Sequence, residues 1–133
     1  MDGQKRLLIV DDDKIHRVIY SSIATKMDYQ VDLADSPLAA DAALRAARYD
    51  SVILDLVLGE DSGAEVLALM SRLAEKPRVL LVTGASDAVI ADTFRFGREF
   101  GLEMFGPVRK PVNVTLIRTV LKSMETAALA ASA

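Results

Sequence analysis

Cysteine is absent from the 133 residues. That excludes disulfide staples, thiolate metal sites and a cysteine nucleophile, and it is compatible with a reducing compartment. Histidine occurs once, as His16, so no histidine metal cluster or catalytic triad can be built. Two residues past the loop that follows the first strand, His16 reads as a surface residue. Long hydrophobic runs are missing too. No segment approaches the ~20 apolar residues of a membrane span. The polar start Met1-Asp-Gly-Gln-Lys-Arg6 leads into Leu7–Val10, far shorter than a signal-peptide core of ~7–15 residues. A basic excess is also lacking: the formal net charge is −3, with no bias towards nucleic acid or an anionic membrane. The expectation is a soluble, cytoplasmic protein with no direct nucleic-acid partner and no membrane partner.

What is present is globular. Hydrophobic residues make up 51% and charged residues 26%, which excludes disorder over most of the length. A chain of this size fits one domain with one core.

Short apolar runs alternate with helical periodicity. Leu7–Val10 reads as a strand buried on both faces. Ile15, Val18, Ile19, Ser22, Ile23 and Met27 follow at helical spacing. Residues 29–33 form the second strand. Ser36-Pro37 predicts a helix start, with Ser as cap and Pro in the first turn, and the helix runs to about Arg48. The third strand is Ser51–Leu54. Gly59-Glu-Asp-Ser-Gly63 reads as a turn-rich, mobile loop. Val66, Leu67, Met70 and Leu73 mark the next helix, residues 78–82 the fourth strand, and Ser86 the cap of a helix to about Phe100. A fifth strand lies at 104–108. The last helix carries Ile117, Val120, Leu121 and Met124. Residues 1–125 are read as one domain and 126–133 as an Ala-rich tail, either frayed helix or the start of a linker.

Five strand-helix units predict an α/β fold: a doubly wound, five-stranded parallel sheet in the order 2-1-3-4-5. In such sheets ligands bind beyond the carboxyl ends of the strands. Strand 1 ends in Asp11-Asp12-Asp13, strand 3 in Asp55, strand 4 in Thr83, and strand 5 just before Lys110. All gather at one edge. Crowded carboxylates raise one another's pKa or recruit a cation. Oxygen donors without His or Cys favour a hard ion such as Mg²⁺. A cation, the Lys110 ammonium and the Thr83 hydroxyl around one carboxylate make a place for a phosphoryl group.

Leu7-Leu-Ile-Val-Asp-Asp-Asp13, Val52-Ile-Leu-Asp-Leu56, Val79-Leu-Leu-Val-Thr-Gly84 and Arg109-Lys-Pro111 together resemble the four motifs of the response-regulator receiver family of two-component signalling. The resemblance covers nearly the whole chain, in order. It implies a flavodoxin-like receiver fold in which Asp55 takes a phosphoryl group from a sensor histidine kinase, a phosphotransfer protein or a small phosphodonor. It further implies Mg²⁺ held by Asp12, Asp55 and the backbone carbonyl of Val57, with Asp11 acting through water. Thr83 and Lys110 would bind phosphoryl oxygens, and Lys110-Pro111 would be cis. Such a protein is an acceptor that assists its own phosphorylation and dephosphorylation, not a turnover enzyme.

The sequence departs from the family in two places. Gly59 stands where the family commonly has Pro, and Ser62-Gly63 stands for its Asp-Gly. The family's inward-turning aromatic, three residues before the motif lysine, is replaced by Pro107. Phe105 lies two residues earlier, where a strand shift changes its face. Residues 101–110 are similar to receivers fused to EAL-type cyclic-di-GMP phosphodiesterases.

On the fourth helix Val89, Thr93, Phe96 and Phe100 form one stripe, with Ile90, Phe94 and Gly97 off it. One aromatic is expected outside the core. The face of the fourth helix and fifth strand is then a docking surface for a second copy or an effector. Two other functions fit fewer residues. A haloacid-dehalogenase-type phosphatase would use Asp11-x-Asp13, but Ile15 stands where its motif has Thr. A receiver-like scaffold that only binds would be expected to lack Asp55 or Lys110.

Overall fold

Leu7, Leu8, Ile9 and Val10 are all fully buried, so the first strand has core on both faces, as its unbroken apolar run requires. The computed structural model describes residues 4–132. In chain order the elements are β1 (Arg6–Val10), α1 (Lys14–Lys26), β2 (Gln30–Ala34), α2 (Pro37–Ala46), β3 (Ser51–Leu54), β4 (Val57–Leu58), β5 (Asp61–Ser62), α3 (Gly63–Ser71), β6 (Arg78–Thr83), α4 (Asp87–Glu99), β7 (Met104–Arg109) and α5 (Val114–Ser132). The main sheet has five strands in the order β2-β1-β3-β6-β7, all parallel. Counting its members alone, this is the expected 2-1-3-4-5. No helix of the described residues is long and apolar enough to cross a membrane.

The period of two along each strand sorts side chains into two layers. Leu8, Val10, Val52, Leu54, Val79 and Leu81 face Ala40, Leu44, Val66, Leu67, Met70, Ile90 and Phe94 of α2, α3 and α4. Leu7, Ile9, Ile53, Leu80, Val82 and Val108 face Tyr20, Ile23, Ala24, Ile117, Leu121 and Met124 of α1 and α5. Helix starts follow local chemistry. Ser36 accepts from Ala39 N and Ser86 from Val89 N, each filling an orphan donor of the first turn. Phe94 is the buried aromatic of α4. Phe96 is half-buried, and Phe100, 52% exposed, packs on it at 4.7 Å between ring centroids. Beyond Met124 the chain continues as helix α5 to Ser132.

The segment read as a mobile loop is instead a small hairpin. Val57 pairs with Ser62 and Leu58 with Asp61, antiparallel. Gly59 supplies a positive φ of 63° for the turn, and Leu58, only 2% exposed, pins it to the core. Along β7 the register slips by one residue. Leu80 pairs with Phe105 but Val82 with Val108, so a bulge holds Gly106 and Pro107. The slip turns Phe105 towards the α1 and α5 layer. Both Gly106-Pro107 and Lys110-Pro111 are cis. The first was not anticipated.

At the far end of the sheet Tyr49 donates to Asp32 Oδ2 at 2.6 Å, and Arg6 Nη2 donates to the same oxygen at 3.0 Å. The Tyr49 hydrogen bond, and then Arg6, hold the Asp32 carboxyl below its ordinary range despite partial burial. Burial and Asp32 push the Tyr49 phenol up to about 12. A depressed carboxylate contributes stability that is present above its unfolded pKa of ~3.9 and is lost as pH falls through the folded value. Acid titration of wild type and Asp32→Asn should therefore show a shallower loss of stability below about pH 4 in the variant. Parallel curves would refute the contribution.

Candidate functional site

β1 stops at Val10, and Asp11 continues its pairing through a backbone hydrogen bond to Ala34 O at 3.1 Å. The chain then turns. Asp11 Oδ1 accepts from Asp13 N at 2.8 Å, and Asp13 Oδ1 caps α1 by accepting from Ile15 N at 2.8 Å and His16 N at 3.2 Å. The His16 backbone N–H, with that of Ile15, holds the Asp13 carboxyl below its usual range. Asp55 follows β3, its N–H bonded to Val10 O at 3.0 Å. Lys110 follows β7, its N–H bonded to Thr83 O at 3.1 Å. Parallel register alone thus delivers Asp11, Asp12, Asp55 and Lys110 to one place.

The side chains complete the site. One carboxylate oxygen from each of Asp11, Asp12 and Asp55 lies within 4.8 Å of the others. Asp11 and Asp55 are buried, at 0% and 3% exposed, while Asp12 is open to solvent. Asp55 Oδ1 accepts from Val57 N at 3.1 Å, and Oδ2 accepts from Lys110 Nζ at 2.8 Å. Lys110 Nζ also reaches Asp11 Oδ2 at 3.3 Å. A cavity of ≈ 560 Å³ opens above them, lined by Asp12, Asp13, Asp55, Val57, Gly84 and Lys110.

Two ionised carboxylates at such a separation repel by roughly 3 kcal/mol at an effective dielectric of ~20. Burial pushes the Asp11 carboxyl up, against the pull of the Asp13 N–H and Lys110. Burial pulls the Lys110 ammonium down, but Asp55 and Asp11 outweigh it and leave the group raised, firmly charged. Three carboxylates against one ammonium leave a deficit of two positive charges. Oxygen-only donors, one of them solvent-facing, suit a hard divalent cation that keeps several waters.

Thr83 is fully buried at the end of β6. Its Oγ1 accepts from Ala85 N at 3.1 Å, and Gly84 rather than Thr83 lines the cavity. Of the two acids the phosphatase alternative would use, Asp13 has one oxygen, Oδ1, committed to capping α1.

One site residue was missed. His16 is not a surface residue: its side chain is 23% exposed, with Nδ1 3.5 Å from Asp11 Oδ2 and 3.0 Å from Lys110 Nζ. The signal was available in helical geometry. Side chains lean towards the N-terminus of their helix, so a residue in the first turn of α1 overhangs the preceding loop. His16 stacks on Tyr20 at 6.0 Å. Tyr20 is fully buried, and its hydroxyl has no hydrogen-bond partner among the described residues. Tyr20→Phe should therefore keep or raise stability, by up to about 1–2 kcal/mol in urea unfolding. A loss of that size would show that the hydroxyl is bonded in solution.

Comparison with known proteins agrees with this geometry. The alginate biosynthesis transcriptional regulatory protein AlgB of Pseudomonas putida is 38% identical over 85 residues, 64% of this chain but only 19% of that protein's length. The chain thus matches about a fifth of that larger regulator. Sporulation initiation phosphotransferase F of Bacillus subtilis is 29% identical over 119 residues, covering 89% of this chain and 91% of that protein. Among solved structures, a response regulator from Burkholderia pseudomallei with a phosphorylated aspartic acid, calcium ion and citrate superposes with a TM-score of 0.75 and 25% identity, over 98% of this chain and 74% of that one. A CheY-like receiver from Methanospirillum hungatei JF-1 shares the fold, with a TM-score of 0.76 and 23% identity over 93% and 96% of the two chains. The model of the response regulator receiver domain matches residues 7–122. That span runs from the first buried residue of β1 into α5 and takes in every acid of the cluster, and the chain accordingly belongs to the receiver domain family of response regulators.

Proposed function

We propose that Asp55 is the phospho-acceptor of this receiver, fed by the phosphohistidine of a sensor kinase or phosphotransfer protein, or by a small acyl phosphate. The observation that carries this is the buried Asp55 carboxylate, bonded to Lys110 at 2.8 Å and crowded by two further acids. An oxygen of Asp55 attacks phosphorus in line. The O–P bond forms as the P–N bond to the donor imidazole, or the P–O bond to the carboxylate of an acyl phosphate, breaks, and the leaving nitrogen or oxygen keeps the electron pair. The Val57 N–H keeps the carboxylate aimed into the cavity. The Lys110 ammonium follows the charge, releasing its bond to Asp55 for one to a phosphoryl oxygen. Thr83 would turn its hydroxyl from Ala85 N to a second phosphoryl oxygen. Water attack on phosphorus later returns the carboxylate and inorganic phosphate. Val57 and Ala85, both apolar, flank that approach.

Mg²⁺ is the fitting cation; Asp12, Asp55 and the Val57 carbonyl would hold it, with Asp11 acting through water. Bound there it would offset phosphoryl charge and align the reactants.

Output would pass through the face of α4 and β7, where Val89 and Phe100 stand about half exposed beside Phe96. Its partner would be a second copy or an effector. Residues 1–125 would form the switching domain, with 126–133 as its Ala-rich tail or the start of a linker.

The deciding experiment is intact-mass measurement after incubation with acetyl phosphate and magnesium, beside a sizing column. One added phosphoryl group is expected, with a shift in association if the α4 face pairs copies. An unmodified chain under acetyl phosphate and a panel of kinases would leave a scaffold that only binds.

A further inference from the structure

An ammonium carries three N–H donors and no acceptor. For Lys110, two of these meet Asp55 Oδ2 at 2.8 Å and Asp11 Oδ2 at 3.3 Å. The third meets His16 Nδ1 at 3.0 Å. Nδ1 lies 3.0 Å from this charged ammonium and farther, 3.5 Å, from Asp11 Oδ2; the shorter contact assigns it the lone pair and places the ring proton on Nε2. The Asp13 cap holds the His16 backbone N–H at 3.2 Å, and buried Tyr20, one turn along α1, stacks on the ring with an interplanar angle of 28°.

We propose that His16 is a positioning residue for Lys110. A neutral imidazole takes up the third N–H without adding a charge. A carboxylate in its place would hold the ammonium against the incoming phosphoryl group. An apolar side chain would give that N–H to mobile water. With His16 and Asp11 as anchors, Lys110 can move a single hydrogen bond, from Asp55 to a phosphoryl oxygen, while two stay in place. His16 thereby sets how fast a phosphoryl group is captured and how long it stays. The kinetic part rests on Asp55 being the acceptor; the contact itself does not.

Two measurements test this. The first is the imidazole tautomer of wild type by nitrogen-proton correlation NMR, with neither metal nor phosphodonor and at mildly alkaline pH. Nε2–H with a bare Nδ1 is expected, and Nδ1–H overturns the proposal. The second is capture from acetyl phosphate with magnesium in His16→Asn, His16→Gln and His16→Leu. The amide oxygen of Asn can stand where Nδ1 stands, whereas that of Gln falls nearer Nε2. Asn should stay within about twofold of wild type. Gln and Leu should slow roughly tenfold or more, as for loss of one hydrogen bond to a charged group. Leu or Gln capturing at the wild-type rate overturns the proposal. Should Leu fail to fold, the Asn–Gln contrast and the tautomer still decide. A wild type that takes no phosphoryl group would overturn the reading of Asp55 and the kinetic role together. Normal capture with Nδ1–H would overturn only the role of His16.

Discussion

The Asp55→Asn variant is expected to gain no mass from acetyl phosphate and magnesium, under conditions where wild type gains one phosphoryl group. The amide keeps the shape of the carboxylate and an oxygen for Lys110, but it is not a nucleophile. The variant also separates chemistry from folding. Without magnesium it should be at least as stable as wild type, because it removes one of three negative groups whose oxygens lie within 4.8 Å of one another. With magnesium the order should reverse. At ten times its dissociation constant a ligand of the folded state stabilises by about 1.4 kcal/mol. Asp55→Asn, short of one acid, should lose most of that gain in thermal unfolding. A phosphoryl group still arriving on the variant would move the acceptor elsewhere, with exposed Asp12 the first suspect.

Gly63→Ala should cost about 3 kcal/mol or more, at the upper end of overpacking effects, and should slow phosphoryl capture with it. A Cβ on Gly63 would stand 2.3 Å from the Asp55 carbonyl oxygen and 2.8 Å from Leu56 Cα. Both are backbone atoms of the segment that carries the acceptor. The Gly63 N–H also bonds to Leu56 O at 2.8 Å, so α3 begins against that backbone and cannot retreat without losing the bond. Gly97→Ala is the control. Its Cβ would meet Met104 Sδ at 2.5 Å and Cγ at 2.8 Å, but these are atoms of one unbranched, flexible side chain rather than backbone, so the cost should be clearly below that of Gly63→Ala. Urea unfolding and the capture rate, measured for both, give the comparison. Equal stability of Gly63→Ala and wild type would show that α3 can shift on the Asp55 backbone.

The sequence was most legible where one residue carries one local instruction. Ser36-Pro37 and Ser86 started helices as read, because a cap needs only its own first turn. The strand ends gathered Asp11, Asp12, Asp55 and Lys110, because parallel topology fixes which end is shared. Legibility failed where the answer lay in contacts between elements. His16 was taken for a surface residue since its partner, Lys110, lies 94 residues away. The stretch from Gly59 to Gly63 looked mobile because its composition is that of a turn. Only the burial of Leu58 at 2% exposed folds it into a hairpin. The extra residue in β7 could be suspected from Phe105 and Pro107, but its place depends on how β6 is paired.

That bulge also bears on solubility. β7 lies at the edge of the sheet, where a straight, regularly pleated strand would offer a template for another chain and an entry to polymerisation. A kink at Gly106 and a proline beside it deny any stranger an even ladder. Any contact on this side would then run through side chains of the neighbouring helices, and where such contact is two-fold symmetric it closes at a dimer instead of growing into a fibre.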